Sequence, residues 1–172
     1  MIEKNTTQTT LEYFFTYPLR EIHLRELTRK LSTSLPTVLI TIKKLSKERL
    51  VVVTKGRAIT TAKANLDSVL FFRLKRISNL ERLLVSGLID ALSSAFKIPQ
   101  AIICFGSYSR GEDIETSDID IAIIGGTEKQ IELEKFEKLL KRRISIHFIK
   151  TAKVSEEFKK NLCNGIVLEG AL

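Results

Sequence analysis

Hydrophobic positions fall into successive regimes along this chain, and each regime predicts its own elements. Leu11, Phe14 and Phe15 recur at helical spacing ahead of Pro18, which predicts a first short helix. Leu24, Leu27 and Leu31 predict a second over residues 23–31. Ser32-Thr33-Ser34 interrupts the pattern, and Leu35, Val38, Ile42 and Leu45 resume it as the buried face of a third helix. Ser34 suits the N-cap of that helix, and Pro36 is tolerated in a first turn whose amides lack intrahelical partners. The texture then changes to that of strands. Leu50-Val51-Val52-Val53-Thr54 and Ala58-Ile59-Thr60-Thr61 flank Lys55-Gly56-Arg57, predicting a hairpin that reverses at the glycine.

Residues 67–96 return to helical periodicity, with Val69, Leu70, Leu74, Ile77, Leu80, Leu83, Leu84, Leu88, Ile89, Leu92 and Phe96, no proline, and Gly87 alone as a breaker. This is either one long helix or two shorter ones. Its stripe is wide enough to pack into the core or to join the same stripe of a second chain as a homodimer. After Lys97-Ile98-Pro99-Gln100 come two apolar runs, 101–105 and 117–124, that read as strands. Thr127 and Gln130 have capping-box spacing for a helix reaching about Lys141, with Ile131, Leu133, Phe136, Leu139 and Leu140 as its apolar contacts. The Lys141-Arg142-Arg143 run reads as its solvated C-terminus. Ile144-Ser145-Ile146-His147-Phe148-Ile149 alternates as a strand, and a last helix is expected from near Ser155 to near Gly165. The sum is an α+β chain in three parts: a helical and hairpin domain over residues 1–65, a helical connector over 66–97, and a small mixed sheet flanked by helices over 98–172.

Charge divides along the same boundaries. The chain of 172 residues carries a formal +8. Residues 1–65 hold twelve Lys/Arg against five Asp/Glu, whereas residues 98–172 hold eleven against twelve. Basic charge gathered on one small domain favours a polyanion through counterion release. A helix, a short polar break and a second helix with a basic outer face match the helix-turn-helix layout. Thr37, Thr41 and Lys44 are spaced to reach base edges, and Lys43, Lys47, Lys55 and Arg57 to meet phosphates. Over residues 8–62 this order, with a basic-tipped hairpin placed after the helices, resembles the winged helices of prokaryotic transcription regulators, which implies double-stranded DNA as a partner. Cys104 and Cys163 show no disulfide or zinc spacing. The N-terminus lacks a secretory layout and no segment has bilayer-spanning length, so a cytoplasmic protein without membrane attachment is expected.

The candidate chemistry lies in the last part. Gly106-Ser107 follows a strand directly; glycine permits close backbone approach to a bound group, and exposed amides at a helix start attract phosphate. Asp118 and Asp120 are separated by one residue on a strand, hence on the same face. Adjacent carboxylates repel unless a cation sits between them, which makes the pair a candidate Mg2+ or Mn2+ site. Phe105-Gly106-Ser107-Tyr108-Ser109-Arg110-Gly111-Glu112-Asp113 followed by Ser117-Asp118-Ile119-Asp120 resembles the polymerase β-type nucleotidyltransferase superfamily, in particular its minimal prokaryotic branch, over residues 98–172.

That resemblance implies an NTP substrate whose triphosphate is held by Gly106 and Ser107, and catalytic metal ligands at Asp118 and Asp120. Arg110 either steadies phosphate or forms a surface salt bridge. The superfamily usually places a further carboxylate on the third strand; here Ser145 and His147 occupy that face. His147 is either a base or a structurally hydrogen-bonded histidine. Two functions follow as expectations: a metal-dependent transfer of NMP from NTP to a hydroxyl by a DNA-binding protein, or a DNA-binding regulator whose transferase-like domain senses nucleotide or serves assembly without turnover.

Overall fold

The computed structural model describes residues 5–57, 59–97, 99–125, 129, 131–149 and 156–171. The chain divides into two compact units, Met1–Lys75 and Arg76–Leu172. Thr127, Gln130 and Ser155, expected to cap two helices, lie outside the described residues.

In the first unit, α1 (Thr6–Thr16) opens with a reciprocal cap between Asn5 and Gln8. Helix α2 (Leu24–Lys30) and helix α3 (Leu35–Lys47) follow. Ser34 caps α3 as expected, its hydroxyl accepting from the Thr37 amide, with Pro36 in the first turn. The hairpin is β2 (Val51–Lys55) with β3 (Thr60–Ala64), and a two-residue β1 (Ile22–His23) pairs with the far side of β3. Both hairpin strands run further along the chain than expected. The Gly56 amide donates to the Ile59 carbonyl, which closes the turn late and gives the inward positions to Ala62 and Ala64. These alanines are buried beside Phe14, Leu27, Val38, Ile42, Leu45 and Phe71, so helices and hairpin share one core.

The connector resolves into α4 (Val69–Val85) and α5 (Leu88–Ala95), separated where Gly87 takes φ +75°, a left-handed conformation that costs glycine little. Its packed face keeps part of the expected stripe, Leu83, Leu88, Ile89, Leu92 and Phe96 being buried, and departs from it along α4. Leu70, Ile77 and Leu84 are exposed, while Lys75, Ser78 and Asn79 are buried. A polar side chain tolerates burial when it is hydrogen-bonded, and Asn79 is.

In the second unit a mixed sheet runs in the order β6-β5-β4-β7. Strand β4 (Ala101–Phe105) is antiparallel to both β5 (Ile119–Ile124) and β7 (Ile166–Gly170), and β5 is parallel to β6 (Ile144–Ile149). The parallel crossover contains α7 (Glu134–Leu140). One sheet face packs Ile102, Cys104, Ile119, Ile121 and Ile123 under Leu88 and Leu92 of α5 and Phe136 and Leu140 of α7. The opposite face has a smaller cluster, Ala101, Ile103, Phe105, Ala122 and Ile124, joined by Leu162 of α8 (Glu156–Cys163). No helix among the described residues is long and apolar enough to cross a membrane.

Candidate nucleotide and metal site

Alternation along the strands splits that second face into an apolar half and a polar half. Ala122 and Ile124 on β5 belong to the apolar cluster; two residues earlier on the same face stands Asp120, and Asp118 precedes the strand. Register places Asp120 beside Phe105 on β4 and beside Ser145 on β6. The Ser145 hydroxyl donates to Asp118 Oδ2 at 3.5 Å, and His147 Nε2 lies 3.1 Å from Asp120 Oδ1. The His147 ring also meets Phe105 edge to face at 5.1 Å between centroids. Asp118, Asp120, Ser145 and His147 are thus gathered at the polar end of three neighbouring strands, all partly open to solvent.

Gly106 adjoins the same carboxylate. Its φ is +73°, and a Cβ there would stand 2.6 Å from Asp120 Oδ2. A side chain at this position would be strained in the backbone and would press on the Asp120 carboxylate. Ser107 is half-buried in the following α6 (Gly106–Arg110), which ends at Gly111 in the left-handed region. Arg110 turns to Glu112, its Nε donating at 2.7 Å in an exposed ion pair. The salt-bridge reading of Arg110 describes its position here; phosphate contact would require leaving Glu112.

A buried network braces this segment. Asp113 is 1% exposed and accepts from Asn79 Nδ2 at 2.7 Å and from Arg142 NH2 at 3.1 Å. Asn79 Nδ2 also donates to the Tyr108 carbonyl at 2.9 Å. Arg142 is thus no part of a solvated helix end: its side chain is 3% exposed, between the exposed Lys141 and Arg143. The visible signal was an acid three residues after Arg110, but a charge's burial is set by tertiary partners, which periodicity does not report. Burial pushes the Cys104 thiol and the Tyr108 phenol each up to about 12, keeping both neutral beneath the site.

Among the described residues, no group of three or more His, Cys, Asp and Glu stands where it could hold a metal alone. The fitting group is one that brings its own ligands. Mg2+ binds through one or two carboxylates plus substrate phosphates, and Asp118 with Asp120 supplies that number of carboxylates.

In the first unit, the predicted DNA-facing residues separate. Lys43, Lys44, Lys47, Lys55 and Arg57 are exposed. Thr41 is 5% exposed and packs inward with Val38, Ile42 and Leu45, so it does not share an outward face with Lys44. Its γ-methyl lets a threonine serve as a core residue at a position that sequence pattern reads as polar. Thr37 is half-buried, its hydroxyl 2.7 Å from that of Ser34 within the cap. The outward face of α3 instead centres on Pro36, Ile40, Lys43 and Lys47, flanked by Leu39 and Lys44.

Gly106 thus stands against the Asp120 carboxylate, with Ser107 after it on α6 and Asp118 just before β5. Residues 85–168, from the end of α4 into β7, match the family model of the nucleotidyltransferase domain. No curated protein matches the chain.

Proposed function

We propose that the second unit transfers NMP from an NTP to a hydroxyl acceptor with Mg2+ or Mn2+ bound by Asp118 and Asp120, and that the first unit is a winged helix that attaches the protein to double-stranded DNA. The observation that carries the transferase reading is the convergence of Gly106, Asp118 and Asp120 within the stretch similar to nucleotidyltransferases. Gly106 and Ser107 would hold the triphosphate: a bare backbone lets phosphate oxygens approach its amides, and the Ser107 hydroxyl adds a donor. A divalent ion at the carboxylates would supply neutralisation of charge on the phosphates and on departing pyrophosphate. Ser145 and His147 orient the carboxylates through their contacts with Asp118 and Asp120.

A second reading is favoured by the same β6 positions. With serine and histidine where superfamily members carry an acid, the unit would bind nucleotide as a sensor with little turnover, and the protein would act as a DNA-binding regulator.

Incubation of the purified protein with labelled ATP, GTP, CTP and UTP, each with Mg2+ or Mn2+, separates these readings. Label transfer that falls by about a hundredfold in Asp118→Asn/Asp120→Asn supports the transferase. Metal-dependent nucleotide binding without transfer, abolished in the same variant, supports the sensor. Absence of both overturns the site.

A further inference from the structure

Helix α3 presents an apolar centre inside a basic border, on the face the DNA-binding reading turns outward. Ile40 is 72% exposed and Leu39 48% exposed, on a helix whose Val38, Thr41, Ile42 and Leu45 already fill the core side. Residues 36, 40, 43 and 47 follow one another at intervals of four, three and four, so Ile40 lies on the same line as Lys43 and Lys47. Exposed Lys44 flanks that line, and exposed Lys55 and Arg57 belong to the hairpin of the same unit.

Lysines around an apolar centre suit a partner that is anionic at its margins and offers apolar groups between them. In a DNA major groove, phosphates form the two walls, and the apolar group on the floor is the C5 methyl of thymine. In the N-terminal part of the face, where a recognition helix meets base edges, Arg or Lys to guanine and Asn or Gln to adenine would need long polar side chains; Pro36, Leu39 and Ile40 stand there instead, and Lys43 and Lys47 follow toward the C-terminal end.

We infer that α3 selects thymine-containing sequence through contact of Ile40 and Leu39 with thymine methyl groups, the lysines serving as phosphate contacts. The inference rests on the DNA-binding reading of the first unit and adds the base chemistry to it. Burying one methyl against an apolar side chain amounts to about fourfold in affinity.

The test uses the full chain and two duplexes of identical sequence rich in A·T pairs, one with thymidine and one with deoxyuridine throughout, so that only the C5 methyl differs. Fluorescence anisotropy should show the wild type binding the thymidine duplex about four- to tenfold more tightly. Leu39→Ala/Ile40→Ala, at exposed positions, should bind both duplexes alike, near the wild type's affinity for deoxyuridine, with an unchanged salt slope. Salt-dependent binding that ignores the methyl overturns this inference and leaves DNA binding standing. Absence of salt-dependent binding to either duplex, unaltered by Lys43→Ala/Lys47→Ala, overturns both. Light scattering gives the remaining outcome: if Leu39→Ala/Ile40→Ala turns an oligomer into a monomer and the wild type shows no methyl preference, the patch is a protein contact and the inference fails.

Discussion

His147 on β6 reaches Asp120 on β5 directly, Nε2 to Oδ1 at 3.1 Å, across a parallel strand pair in which Asp120 is in register with Ser145. A ring nitrogen held against a carboxylate fixes where that carboxylate points. His147→Ala is expected to weaken Mn2+-dependent nucleotide binding by about tenfold in titration calorimetry, with recovery in His147→Asn, which retains a donor. Equal affinity in all three proteins would mean that Asp120 holds its orientation without the ring.

Gly106→Ala sets a methyl where Asp120 Oδ2 lies 2.6 Å away and forces alanine to φ +73°. The backbone cost alone is about 1–2 kcal/mol. Urea unfolding should register that loss, and nucleotide binding should drop further than in Ser107→Ala, where only a hydroxyl is removed. A variant that binds nucleotide like wild type would remove Gly106 from the pocket.

Asp113→Ala takes the carboxylate from Arg142 while the guanidinium stays buried. Breaking one side of such a pair costs about 3–5 kcal/mol, much more than an exposed pair such as Arg110 with Glu112. Denaturant midpoints should therefore separate Asp113→Ala from Glu112→Ala. Joint replacement, Asp113→Leu with Arg142→Met, should recover part of the loss because no orphaned charge remains.

The two cysteines should differ sharply toward a thiol reagent. Cys163 is exposed and Cys104 is buried, its thiol pushed up to about 12 from an ordinary 9.0. One thiol should react in native protein at pH 8 and both in denaturant. The raised folded value also sets a direction for stability. Below pH 9 the thiol is neutral in both folded and unfolded chains, and its contribution is fully present; between 9 and 12 the unfolded chain loses its proton first and stability falls. Tyr108 adds to this between 10 and 12. Each group steepens the fall by up to about 1.4 kcal/mol per pH unit, so Cys104→Ala should flatten the alkaline limb measured by unfolding at pH 9–11.

Features made by local pattern were legible in the chain before its structure. Strand β4 has the bounds of its apolar run, Ser34 caps α3, and Asp120 lies on β5, although Asp118, expected on the same strand, stands one residue before it. Features made by partners distant in sequence were not. Strand β1 has two residues, too few to show a period, and it exists because Ile22 and His23 meet Ala62 and Thr61. Arg142 is one more cation in a basic run until Asp113 packs against it, and Thr41 is a polar position on a face that its neighbours turn inward. On α4 the repeating leucine and isoleucine positions outweighed Asn79 in the pattern, although Asn79 holds the loop carrying Tyr108 and Asp113.

The sheet order gives the site an uneven tolerance to change. Asp118 and Asp120 are anchored at β5, inside the sheet, where Ile119 and Ile121 lock the strand into the core. Ser145 and His147 belong to β6, which closes the sheet on that side and is only half-covered beyond Ile144. Replacements of Ser145 and His147, whose side chains lie outside the core clusters, would disturb little packing, so on the transferase reading turnover would respond to single substitutions there while Asp118 and Asp120 stay as they are.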